Sequence, residues 1–212
     1  MKSSKLKPHL NKQSHAQAQL IIDTVRTSFP DTSSVEILDL ACGQGEIHPL
    51  LQTAIGPISG VDCSAEAIGI ASAEHSDGIY MHYDGHSLPF PDASFELCFS
   101  IGLNQHRSPN WPNFLLDIKR VLKPGGLLIL VEHNPLHLFT QIKMRIDENQ
   151  ARLMRATTLH KHVVKAGFKS AKQLYLYPHL MHWRGLRRCA QWLATLPFPS
   201  QYYLIGRKPK QN

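Results

Sequence analysis

Apolar positions recur at helical spacing over residues 14–29, with Ala18, Ile21, Ile22 and Val25 on one face. This predicts an amphipathic helix. Pro30 and the polar run Asp31-Thr32-Ser33-Ser34 end it. Short continuous apolar runs then alternate with helical spacing. Strands are expected at 35–40, 58–61, 79–83, 95–101 and 127–132, and helices at 46–54, 64–74 and 111–122. Near-continuous apolar strands separated by helices describe a parallel sheet covered on both faces.

After Pro135 the rhythm changes. Residues 158–166 read as a helix ending at Gly167, which suits a left-handed helix terminus. Residues 169–177 and 201–207, rich in aromatic and β-branched side chains, read as two further strands. Between them a helix is expected at 183–196. No long crossover pattern separates these two strands, so an antiparallel pair closing the sheet edge is expected. The 212 residues fit one domain. We divide it into an N-terminal helical segment (1–34), a core (35–135) and a region of cap helices and closing strands (136–212).

Composition narrows the class. The longest apolar stretch, 125–131, is far short of the roughly 20 residues of a membrane span. The basic N-terminus MKSSKLKPHLNKQSH lacks the apolar core of a secretory signal, so a cytoplasmic location is expected. Cys42, Cys63, Cys98 and Cys189 make no CxxC, the histidines make no HExxH, and no metal site is expected. The net charge of +7 is unevenly spread. Residues 1–118 hold 6 Lys/Arg against 13 Asp/Glu, a balance of −7, while residues 119–212 hold 17 against 3, a balance of +14. Such a basic half suits phospholipid, nucleic acid or an anionic small substrate, or is simply a solvated face.

The candidate chemistry lies at the ends of the first three core strands, where open α/β sheets bind ligands. The first strand runs into Asp39-Leu40-Ala41-Cys42-Gly43-Gln44-Gly45. A dinucleotide fingerprint GxGxxG would place its third glycine at His48, and a phosphate-cradling GxxxxGK[ST] is absent. The second strand ends at Asp62, followed by Cys63, and a carboxylate there can accept from both hydroxyls of a ribose. The third ends at Asp84-Gly85, where the acid can accept from an adenine amine. The tips offer a small-residue turn and two acceptors, but no phosphate clamp.

Three stretches, VEILDLACGQGEI, MHYDGHSLPFPDASFELCFSIGLNQH and IKRVLKPGGLLILVEHNP, make the chain resemble the class I S-adenosylmethionine (SAM)-dependent methyltransferases, especially the small-molecule branch of type 11. The resemblance covers residues 35–135 well and the remainder more loosely. It implies a Rossmann-like, seven-stranded, mostly parallel sheet in the order 3-2-1-4-5-7-6, strand 7 antiparallel, with helices on both faces. It also implies SAM as cofactor, held by Asp39, Ala41, Cys42, Gly43, Gly45, Asp62, Cys63, Asp84, Gly85 and Ser100. In the family the turn usually begins with glycine; this chain has Ala41.

The acceptor side follows strands 4 and 5. The first offers Ser100 and, six residues on, His106; the second offers Glu132-His133-Asn134-Pro135. No Asn/Asp-Pro-Pro-Tyr follows strand 4, which discounts adenine and glutamine methylation. His106 and His133 are the candidates for a base or acceptor-orienting residue. The expected acceptor is a small or lipid-linked molecule, methylated at oxygen before carbon or nitrogen. RNA methylation and a SAM-binding scaffold without transferase activity are the alternatives. Nucleic acid is disfavoured by the lack of an RNA-binding motif. The basic helix expected at 183–196, with Trp192, Cys189, Leu193 and Leu196 on one face and arginines on the other, is suited to packing over the sheet edge or to contact with an anionic membrane.

Overall fold

The computed structural model describes residues 12–32, 34–103, 110–137, 153–176 and 200–210. Along the chain these form α1 (Lys12–Ser28), β1 (Ile37–Leu40), α2 (His48–Ile55), β2 (Ile58–Asp62), α3 (Ala65–Glu74), β3 (Tyr80–His82), β4 (Phe95–Ile101), α4 (Trp111–Val121), β5 (Leu122–His133), α5 (Ala156–Lys165), β6 (Lys169–Leu176) and β7 (Gln201–Arg207). The sheet order is β3-β2-β1-β4-β5-β7-β6. β1, β2, β3, β4 and β5 pair in parallel, and β7 runs antiparallel to both β5 and β6. The expected sheet is therefore present, antiparallel edge included. The helix expected at 183–196 lies outside the described residues, as does His106.

The sheet is apolar on both sides because helices cover both. One core joins Ile21, Ile22 and Val25 of α1 and Leu51 and Ile55 of α2 to Ile37, Leu97, Phe99, Ile129 and Val131. The other joins Trp111, Phe114, Leu115 and Ile118 of α4 and Leu159 and Val163 of α5 to Leu38, Leu40, Cys98, Leu128, Leu130, Tyr202 and Leu204. Alternate strand positions go to opposite cores, as a pleated strand requires.

One strand breaks that alternation. In β4 Phe95 belongs to the α4/α5 core, but Leu97 and Phe99 belong to the α1/α2 core. A bulge explains it: the amides of Glu96 and Leu97 both donate to Glu36 O, at 3.0 and 3.3 Å, so two residues of β4 oppose one of the neighbouring chain. The Glu96 carboxylate steadies the bulge by accepting from Glu36 N–H at 2.8 Å and from Lys123 Nζ. The same irregularity shows against β5, where Phe95 pairs with Leu122 but Leu97 pairs with Leu127. The strand expected from 127 consequently begins at Leu122, with Lys123-Pro124-Gly125-Gly126 taken up within it.

A second device ties two sequence motifs together. Arg120 Nη1 donates to Phe90 O at 2.8 Å and to Asp92 Oδ1 at 3.0 Å, Nη2 to Leu88 O at 3.0 Å, and Nε to Asp117 Oδ1 at 2.7 Å. Asp117 Oδ2 accepts from Leu88 N–H. The LPFPDA loop is thus clamped by Arg120, the first residue of RVLKPGG, and by Asp117 one turn earlier, which joins the two stretches physically. Several cations of the basic half also satisfy carbonyls: Lys119 Nζ reaches Ala166 O at 3.0 Å, Arg207 Nη1 reaches Gly125 O at 2.8 Å and Lys208 Nζ reaches Leu122 O at 2.6 Å. Ala166 and Leu122 are the C-caps of α5 and α4, so two of these charges serve helix ends.

Arg120→Met, which keeps the aliphatic stem but strips the guanidinium, leaves Asp117 and two loop carbonyls without their donor. We expect a loss of about 2–4 kcal/mol in urea unfolding, with protease cleavage concentrated in residues 84–94. Unchanged stability would show that the clamp is replaced by water.

Candidate functional site

Parallel pairing brings the carboxyl ends of β1, β2, β3 and β4 to one edge of the sheet, and the expected cofactor residues with them. After β1 the backbone turns through three left-handed residues: Ala41 at φ 61°, Gly43 at 54° and Gly45 at 73°. Cys42 N–H donates to Val61 O at 3.0 Å, Gly45 N–H to Cys42 O at 2.9 Å, and His48 N–H to Gly45 O at 3.0 Å, which leads the turn into α2. A side chain at Gly43 would meet open space, whereas one at Gly45 would lie 2.7 Å from His75 Cδ2. The turn is therefore open at Gly43 and backed at Gly45.

Asp62 joins this turn to the tip of β2. Its Oδ2 accepts from Gly43 N–H at 2.9 Å and its Oδ1 from Ser64 N–H at 2.8 Å. Ser64 then caps α3, accepting from Ala67 N–H at 3.2 Å. Tyr83 N–H donates to Asp62 O at 2.9 Å, carrying the pairing on to the tip of β3. Exposed Cys63 follows Asp62, and its carbonyl lies 3.2 Å from His82 Nε2. Asp84 is exposed, with Oδ1 accepting from His86 N–H at 2.8 Å. That backbone bond holds its carboxyl below the usual range, so Asp84 is an ionised acceptor at neutral pH. Gly85 beside it has φ 89°.

Two expected residues differ in setting from the sequence reading. Cys42 packs its sulfur over Gly60, where an added Cβ would come within 2.6 Å, and burial, followed by Asp39 and Asp62, pushes its thiol up. It is a small buried filler, not a nucleophile. Ser100 is fully buried within β4, and its Oγ has no hydrogen-bond partner among the described residues.

After the strand expected to end at Glu132, His133 also belongs to β5 rather than to a loop after it. Glu132 is fully buried opposite Tyr202, which burial and then Glu132 push up. His133, half-buried, pairs with Gln201 across β7. Gln17 of α1 reaches the same point, donating from Nε2 to Gln201 Oε1 at 3.0 Å. Asn134 ends the strand, with its side-chain oxygen accepting from Leu136 N–H at 3.0 Å. His106 and His133 are not seen together, since His106 is outside the described residues.

The sequence reading missed what lies behind the turn. Asp39, buried, meets His48 Nε2 at 2.9 Å; His48 Nδ1 meets the Tyr80 hydroxyl at 2.7 Å; and that hydroxyl donates to Ile58 O at 3.0 Å. The His75 ring packs 5.3 Å from that of His48. The available signal was the histidine standing where a dinucleotide turn has its third glycine.

Ala41 carries a strain the sequence reading underrated: a methyl group at φ 61° costs about 1–2 kcal/mol. Glycine relieves it but frees the unfolded chain by about 0.4–1 kcal/mol. Ala41→Gly is therefore expected to stabilise the protein by about 0.5–1 kcal/mol in urea unfolding. A destabilised variant would show that the methyl packs productively.

A family model described as a methyltransferase domain matches residues 38–130. A probable phthiotriol/phenolphthiotriol dimycocerosates methyltransferase of Mycobacterium ulcerans is 31% identical over 109 residues, 50% of this chain and 42% of that protein. A demethylmenaquinone methyltransferase of Lactococcus lactis is 31% identical over 121 residues, 52% of this chain and 48% of that protein. The chain thus spans about half the length of these curated relatives. A SAM-dependent methyltransferase structure from Archaeoglobus fulgidus superposes with a TM-score of 0.65 at 18% identity, covering 90% of this chain and 94% of that one. In motifs, strand order and relatives, residues 38–130 are similar to the methyltransferase domains of the class I SAM-dependent family.

Proposed function

We propose that the protein is a SAM-dependent methyltransferase acting on a small or lipid-linked acceptor, with oxygen the expected atom methylated. The observation that carries the reading is Asp62, whose carboxylate is fixed beside the open turn by the Gly43 and Ser64 amides. Each of its oxygens has two acceptor positions and has spent one on backbone. The remaining two suit the paired hydroxyls of a ribose. Asp84 suits the adenine amine, and Ala41, Cys42, Gly43 and Gly45 let backbone lie against the methionine end. Asp39 steadies the turn from behind, while Cys63, Gly85 and Ser100 complete the wall. Among these groups none is a cation, which agrees with a nucleoside that carries no phosphate.

SAM, when bound, supplies an electrophilic methyl group on a sulfonium. The chain's part is to orient the acceptor, a service that can be worth roughly 7–11 kcal/mol of barrier. A hydroxyl acceptor must also lose a proton, and His133 is the proposed base at the tip of β5, with His106 the second candidate. The relatives named for dimycocerosates and demethylmenaquinone motivate lipid and quinone acceptors first. The same lipid class gives residues 183–196 a proposed role at an anionic membrane surface.

Asp62→Ala should cost about 2–3 kcal/mol of SAM binding, a roughly 30- to 150-fold rise in Kd by calorimetry. An unchanged Kd would remove the ribose assignment. His133→Ala should leave SAM affinity within about threefold while lowering turnover about 100-fold, measured as tritium passing from labelled SAM to hydroxyl-bearing lipid and quinone pools. SAM binding without transfer to any pool would favour the scaffold reading.

A further inference from the structure

The polar cluster behind the glycine turn has a proton count that can be worked out from its partners. The Tyr80 hydroxyl has a single hydrogen, and Ile58 O, 3.0 Å away, can only accept it. The hydroxyl oxygen is then the acceptor for His48 Nδ1–H at 2.7 Å. His48 Nε2 meets Asp39 Oδ2 at 2.9 Å, and that contact needs one more proton between nitrogen and oxygen. The pair is either imidazolium on carboxylate or imidazole on carboxylic acid. Both forms are net neutral, which suits groups that are 0% and 4% exposed. Burial pushes the Asp39 carboxyl up against the lowering effect of His48.

Removing that proton rearranges the chain of bonds. The ring keeps a single N–H, which goes to the Asp39 carboxylate. Nδ1 becomes an acceptor, Tyr80 swings its hydrogen to Nδ1, and Ile58 O loses the hydroxyl. A net negative charge is left buried behind the turn. The groups facing it make this costly: Asp62 from β2, Cys42 in the turn, Glu74 at the end of α3 and Asp77 beyond it bring no fixed cation. His75, from the end of α3, is neutral at pH 7, because burial and then His48 lower its imidazole. The cluster is joined to the turn at close quarters: His48 N–H donates to Gly45 O, and a Cβ on Gly45 would be 3.0 Å from His48 Nδ1.

We propose that Asp39, His48 and Tyr80 form a proton-dependent buttress for the 41–45 turn, so that SAM affinity falls as the Asp39–His48 pair gives up its proton with rising pH. His48 is a positioning residue in this role: it reaches the cofactor only through Gly45 and through the charge it places beside Asp62. The inference rests on the SAM-binding reading above.

The test is SAM Kd by calorimetry from pH 5 to 9 for the wild-type protein, His48→Gln and Tyr80→Phe, with urea unfolding of each. Glutamine can still donate to Asp39 but does not titrate. We expect His48→Gln, in which Asp39 alone can carry the proton, to bind about tenfold more weakly than wild type at pH 5 and to move the pH-dependent step that remains after the ligand's own ionisation. Tyr80→Phe removes the acceptor of Nδ1–H and keeps the ring, so its step should move to lower pH. Parallel profiles for all three proteins, or variants that lose stability with unchanged Kd, would overturn the buttress. If His48→Gln does not fold, Tyr80→Phe decides alone by whether its step moves. Wild-type protein that fails to bind SAM at any pH would overturn the cofactor reading itself, a result distinct from parallel profiles.

Discussion

The chain must leave β1, reverse, and enter α2 within a few residues, with the amides of Cys42, Gly43 and Gly45 all bonded as it does so. Three left-handed residues between positions 41 and 45 accomplish this, and much of the surrounding structure follows from that need. A backbone so bent has few internal bonds of its own. It is held from the side by Asp62 through Gly43 and from behind by Gly45 against His48 and His75. The same carboxylate starts α3 through Ser64, so the turn, the second strand tip and the next helix form one unit.

A similar economy appears on the other side of the sheet. Arg120 and Asp117 of α4 fix the loop that follows β3, and so set where Asp84 and Gly85 stand before the chain enters β4. Gln17 of α1 and Gln201 of β7 meet across the sequence near His133. Residues at both extremes of the described chain thus meet near the tip of β5, where the acceptor is proposed to lie, while the residues proposed for the cofactor fall in one stretch, 39–100. That stretch lies within residues 38–130, which the methyltransferase-domain model matches.

The sheet was legible because buried parallel strands must be apolar throughout, and its strand tips because Gly43, Gly45, Asp62 and Asp84 stand at the ends of those runs. What stayed hidden shared one physical character. His48 and Tyr80 are polar side chains bonded to each other inside the protein, with the His75 ring packed against both, and a polar letter in a sequence gives no sign of an internal partner. Arg120 looked like part of a basic half and proved to be a loop clamp. His133 looked like a loop residue because polarity suggested a strand end at Glu132, yet the ladder with β7 continues through His133. The strain at Ala41 was invisible for a different reason, since φ is not written in residue type.

The bulge at Glu96 has a bearing on the site that its distance conceals. Without it, strict alternation from Phe95 would give every later residue of β4 the opposite orientation. Ser100 would then point towards α1 and α2, and Phe99 would invade the layer of α4 and α5. One surplus residue early in the strand therefore decides the handedness of address for everything downstream. Deleting that one residue would leave a regular strand whose later side chains still face as they do, whereas keeping it without the bulge would turn the strand inside out.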